Sequence, residues 1–107
     1  MPRARIFKAG VCAAFFTCVA PAFAADDIAL GEYLSATCVT CHQKSGKVTG
    51  GVPSITGWPA EQFIAVMEAY RKKERENEVM RALASGLSTD DIAALAVYFR
   101  TLGPGKK

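Results

Sequence analysis

Cys38, Val39, Thr40, Cys41 and His42 stand together as a C-x-x-C-H run. Two thiols separated by two residues lie on one turn of backbone, so both reach the edge of a porphyrin and each adds across a vinyl group to form a thioether. The imidazole that follows is carried under the ring, where it becomes an axial ligand to iron. His42 is the single histidine of the chain, so no other imidazole competes for that place. The cofactor this predicts is one haem c, covalently attached through Cys38 and Cys41, with His42 on the metal.

Other chemistries fit the run less well. Structural zinc takes four Cys or His ligands, generally as two spaced pairs, and the chain has no second pair. A thioredoxin-like motif heads a helix after a strand, and nothing strand-like precedes Cys38. Plain buried thiols belong to a reducing compartment, which the N-terminus argues against. Arg3, Arg5 and Lys8 lead into an apolar small-residue run from Ala9 to Ala20, then Pro21, Ala22, Phe23 and Ala24. This order is that of an export signal, with cleavage expected between Ala24 and Ala25. The apolar run is too short, and too interrupted by Thr17, Cys18 and Pro21, to span a bilayer. Phe16 and Thr17 are too bulky for lipoprotein processing at Cys18. Residues 1–24 are therefore expected to be a cleaved secretory leader, and residues 25–107 a periplasmic domain without stable membrane insertion. Cys12 and Cys18 leave with the leader, and no disulfide is expected.

The formal charge of +3 is owed to Arg3, Arg5 and Lys8; from Ala25 onward 10 basic residues face 10 acidic ones. A neutral mature chain with no arginine-rich face and no recognisable nucleic-acid module excludes a nucleic-acid partner. The 107 residues less the leader's 24 leave 83, a size at which an apolar core alone is marginal and a porphyrin is a welcome core element. Ala, Leu, Glu and Gln recur at helical spacing and alternating runs are missing, so the fold class is all-α, three to five helices wrapped around one haem.

These elements must position the site. A first helix is expected from Asp26 or Asp27 to Cys38, with Leu30 and Leu34 on its buried stripe, Ile28 or Ala29 behind them, and Gly31 marking a close approach. Gln43 to Gly51 form a polar loop whose glycines permit tight turns. Val52 to Gly57 read as an extended crossing segment. The carbonyl of Pro53 is placed to accept the Nδ1 proton of His42 and leave Nε2 for iron, although a proline here also serves simply as a turn former. Trp58 is a candidate cofactor contact through its indole N–H. A second helix should open with Pro59 at its first position and run to about Arg71, with Phe63, Met67 and Tyr70 on one face. Arg71 to Glu78 form a mixed-charge run, read as a solvated helix end and loop. Helix resumes near Asn77 and breaks at Gly86. Ser88 and Asp91 then form a capping box before a last helix with Ile92, Leu95, Ala96, Phe99 and Leu102 in register, ended by Gly103 and Pro104. Tyr98 and Phe99 are the expected partners of Gly31 and Leu34. Met67 and Met80 compete as the second axial ligand. Met67 lies inside a packing stripe, whereas Met80 follows an irregular segment able to deliver it to the face opposite His42, so Met80 is the ligand expected.

The set Gly31, Leu34, Cys38, Cys41, His42, Pro53 and Met80, with L-S-T-D-D-I-A-A-L-A-V-Y-F over 87–99, resembles the class I c-type cytochromes. More narrowly, L-S-A-T-C-V-T-C-H, V-P-S-I-T-G-W-P-A-E-Q-F and M-E-A-Y-R resemble the small monohaem cytochrome subunit of flavocytochrome c sulfide dehydrogenase. That resemblance implies a heterodimer with an FAD-containing sulfide dehydrogenase subunit as electron donor, and a downstream cytochrome or oxidase as acceptor. The alternative is a freely diffusing periplasmic carrier serving another oxidoreductase or a terminal oxidase. With two axial ligands and no nucleophile or acid–base pair nearby, the site fits electron transfer and not catalysis within this chain.

Overall fold

The computed structural model describes residues 10, 13–15 and 23–103, with the side chains of 23–26 excepted. Most of the leader expected over 1–24 lies outside the described residues, as do the side chains flanking the Ala24–Ala25 bond and Pro104. Four helices follow one another: α1, Phe23–Cys38; α2, Ala60–Arg71; α3, Glu78–Ser85; and α4, Thr89–Thr101. Among the described residues there is no strand, only an isolated bridge between Thr49 and Val52.

Helix α4 is the spine. Ile92, Ala94, Leu95, Ala96 and Phe99 are fully buried on it, and Tyr98 nearly so. Ser88 caps it by accepting from the Asp91 amide while the Asp91 carboxylate accepts from the Ser88 amide, the expected reciprocal box. The phenyl ring of Phe99 stacks on that of Phe63 from α2 at 5.6 Å and meets Tyr98 edge-on at 5.4 Å, geometries the ring quadrupole favours. Helix α4 packs along both α1 and α2, and α2 also packs on α3.

Helix α1 departs from expectation in two ways. It begins at Phe23, so Asp27 lies within the helix and not at its cap. Its buried face is centred on Gly31 and Ser35, with Ile28, Leu34 and Cys38 half-buried beside them, whereas Leu30 is 39% exposed and Ala29 also faces outward. The reason is the closeness of α4. A Cβ at Gly31 would collide with the carbonyl oxygen of Ala94 and stand 2.6 Å from the Cβ of Tyr98. Close approach was expected there, but what Gly31 admits is the α4 backbone and the root of Tyr98, not an aromatic ring. Small side chains therefore occupy the seam, and the larger Leu30 is displaced outward. Ser35, 1% exposed, satisfies its hydroxyl by donating to the Glu32 carbonyl.

Pro59 stands one position earlier than expected. Its ψ of 134° is extended, its carbonyl accepts from the Phe63 amide, and it is therefore the residue before α2 proper. Lys72 to Glu78 are exposed, as a solvated helix end and loop should be, and Arg71 at their head is anchored. Arg71 donates to the Leu87 carbonyl and to Thr89 Oγ1 while pairing with Glu68 at 2.6 Å, tying α2 to the turn before α4.

Candidate haem-binding site

The C-x-x-C-H motif begins where α1 stops. The carbonyl of Cys38 accepts from the amides of both Cys41 and His42, at 3.2 and 2.9 Å, so the five residues wrap in a single turn. Thr40 Oγ1 closes that turn by donating to the Thr37 carbonyl. Cys38 is half-buried and Cys41 exposed. Burial pushes the Cys38 thiol up from its ordinary value, opposed by a backbone hydrogen bond.

The loop that follows doubles back. Gly50 and Gly51 carry φ of 61° and 76°, and Val52 donates to the Thr49 carbonyl across them. Two successive positive φ angles make a tight turn that glycine adopts without steric cost. Pro53 is thereby returned to the motif, and its carbonyl accepts from His42 Nδ1 at 2.7 Å. A carbonyl has no proton to give, so Nδ1 carries the hydrogen and Nε2 keeps its lone pair. The crossing segment is then fixed to the spine by the Gly57 amide on the Phe99 carbonyl.

Cys38, Cys41, His42, Pro53, Trp58 and Met80 all line one cleft of about 540 Å³, a volume within the range of cofactor sites. Its walls are apolar: Val52, Ile55, Phe63, Val66, Met67, Tyr70, Val79 and Leu83. Among the described residues Arg75 is the one formally charged side chain on the wall, held over the Tyr70 ring at 5.2 Å, with Asn77 beside it. The donor set of two thiols, an imidazole with a free Nε2 and a thioether, inside an apolar cleft, fits a covalent haem.

The cleft also alters the reading of α2. Met67 is 6% exposed and packs with Phe63 in the core, as expected, yet it lines the cleft as well. Tyr70 also packs against the core and lines the cleft, and Val66 lines it too, so the α2 stripe is both core and wall. Arg75 and Asn77 were not legible as wall residues, because they sit in the charged run where periodicity gives no face. Asn77 had a local signal, a capping side chain before a helix, and its Oδ1 accepts from the Met80 amide at 3.0 Å.

No family model matches the chain. Cytochrome c-554(548) of Halomonas halodenitrificans is 37% identical to it over 79 residues, covering 70% of this chain and 95% of that protein. The chain belongs to the class I c-type cytochromes. The cytochrome is also similar to the cytochrome subunit of sulfide dehydrogenase from Chlorobaculum tepidum, 32% identical over 67% of this chain and 66% of that protein. A thiosulfate dehydrogenase electron acceptor from Thiomonas intermedia is 31% identical over 68% of this chain, but this cytochrome spans 35% of its length. The cofactor is accordingly a covalent haem c, and the activity is electron transfer. Among the described residues no helix is long and apolar enough to cross a membrane.

Proposed function

We propose that this cytochrome is a periplasmic one-electron carrier whose haem is joined through Cys38 and Cys41 and held between His42 and Met80. When bound, the haem supplies the Fe(II)/Fe(III) couple. The observation that carries the ligand assignment is the 2.7 Å bond from His42 Nδ1 to the Pro53 carbonyl. It orients the imidazole, fixes its tautomer and raises the basicity of Nε2. Met80 lines the same cleft, and its thioether would serve as the second iron ligand, which would favour the reduced state. Apolar walls from α2 and α3 exclude water and keep the surroundings of the metal site from reorganising as charge comes and goes. Trp58, on the cleft wall, would contact the haem.

We further propose that the electron donor is an FAD-bearing sulfide dehydrogenase chain, in a one-to-one heterodimer, and that a leader ending at Ala24 delivers the cytochrome to the periplasm. Sulfide gives up electrons in pairs and a single haem accepts one, so a two-electron acceptor has to stand between them. The likeness to a sulfide dehydrogenase cytochrome subunit supports that donor. The relative of matching length is named simply as a cytochrome, which supports the second reading, a free carrier. Gentle purification from the native periplasm distinguishes the two. A flavoprotein co-eluting at equal stoichiometry, with sulfide reducing the haem only in its presence, is the expected result. A solitary monomer whose reduction depends steeply on ionic strength establishes the free carrier instead.

A further inference from the structure

Resting on the assignment of Met80 as axial ligand, we infer that Arg81 is the positioning residue for that ligand, a clamp that holds the segment Lys73–Met80 in the shape that presents the thioether. The segment needs one. From Arg75 to Val79 no backbone amide donates to a backbone carbonyl among the described residues, and every side chain from Lys72 to Val79 is exposed. It also starts from an unfavourable conformation, since Lys73 has φ of 61°, a left-handed value that a Cβ disfavours. Its first residues are tied back to α2, the Lys73 amide donating to the Tyr70 carbonyl and the Glu74 amide to the Ala69 carbonyl, but beyond Glu74 no such backbone bonds hold the segment in one state.

Arg81 supplies what the backbone does not. Its Nε donates to the Arg75 carbonyl at 2.6 Å and its Nη2 to the Lys73 carbonyl at 3.0 Å. The guanidinium thus binds both ends of the turn, including the residue in the left-handed conformation. Its planar fork reaches two fixed carbonyls at once, which a lysine ammonium on a flexible stem does less well. Ion pairs with Glu76 and Glu78, at 3.2 and 3.6 Å, add little, because both carboxylates are 92% exposed. The two carbonyl bonds are charge-assisted and carry the effect. Arg81 adjoins Met80 in sequence, and its amide closes the first turn of α3 by donating to the Asn77 carbonyl. Movement of the clamp therefore moves the ligand.

The test compares Arg81→Met with Arg71→Met in the haem-loaded protein. Arg71 makes a similar number of bonds, but to Glu68, Leu87 and Thr89, away from the segment. Both variants lose stability. Only Arg81→Met should weaken the near-infrared sulfur-to-iron charge-transfer band of the ferric form and let added imidazole bind roughly tenfold more tightly, because the competent loop is less populated. Arg81→Lys should fall between Arg81→Met and the parent, and it carries the test if Arg81→Met does not fold. A parent-like band and imidazole affinity in Arg81→Met, or equal changes in Arg71→Met, overturns the clamp. Met80→Ala separates the two layers. If the band survives Met80→Ala, the ligand assignment fails and the clamp with it; if Met80→Ala abolishes the band while Arg81→Met leaves it intact, the clamp alone is wrong.

Discussion

Two methionines reach the same cleft, and their surroundings decide between them. Met67 is pinned in the core beside Phe63, with 6% of its surface exposed, while Met80 is half-buried at the start of α3 behind an irregular segment. Met80→Ala is expected to remove the ferric sulfur-to-iron band and lower the reduction potential, since loss of the thioether removes a ligand that favours Fe(II). Met67→Leu conserves volume, so it should keep the band and cost less than about 1.5 kcal/mol of stability. Band loss in the Met67 variant alone would exchange their roles. The imidazole on the other side depends on a backbone atom, the Pro53 carbonyl, which no side-chain substitution deletes. Its weak point is the turn that aims it: Gly51→Val puts a β-branched residue at φ of 76°, costs about 1–2 kcal/mol, and should shift the His42 ring proton resonances of the reduced form.

At the scale of elements, the seam between α1 and α4 is the least forgiving contact. Gly31→Ala drives a methyl into the Ala94 carbonyl and the Tyr98 Cβ, so one helix must slide, at a cost of about 1–3 kcal/mol or more. Gly86→Ala is its control. There the nearest atom to a new Cβ is 3.7 Å away and φ is −86°, so stability should change little. Denaturant midpoints of the two variants measure the difference, and equal midpoints would refute the tight seam. The helix α4 cap offers a smaller effect, with Ser88→Ala expected to lose about 1 kcal/mol. The same seam explains the outward position of Leu30: apolar spacing alone favoured it, but backbone contact rewards small residues at Gly31 and Ser35.

For the whole molecule, the cofactor is structural as well as functional. An apolar cleft of about 540 Å³ left without its occupant exposes its apolar walls to water, in a domain whose size leaves little stability to spare. Replacing both Cys38 and Cys41 by alanine should therefore lose helical circular dichroism together with the haem. A stably folded haem-free variant would show that the four helices suffice. The intact protein recovered from the periplasm should have the mass of a chain starting at Ala25 plus one haem, and that haem should resist extraction into acidified acetone.

The sequence by itself determined what is local. The C-x-x-C-H spacing, the S-x-x-D box at Ser88 and Asp91, the apolar register of α4, and the glycines that turn the loop after His42 each act through neighbours a few residues away, so each was legible along the chain. The pairing of Pro53 with His42 was legible as well, because one tight turn at Gly50 and Gly51 connects them. Contacts between distant segments were decided by the tertiary structure. Which face of α1 is buried depends on how closely α4's backbone passes Gly31. Whether Met67 is core or wall depends on where α2 lies against the cleft. Arg81 reads on paper as one more charge after a charged run, and becomes a clamp only because the chain folds two carbonyls, those of Lys73 and Arg75, back within reach of its guanidinium. Hydrogen bonds from a long side chain to non-helical carbonyls follow no period, and so only the folded path of the segment reveals them.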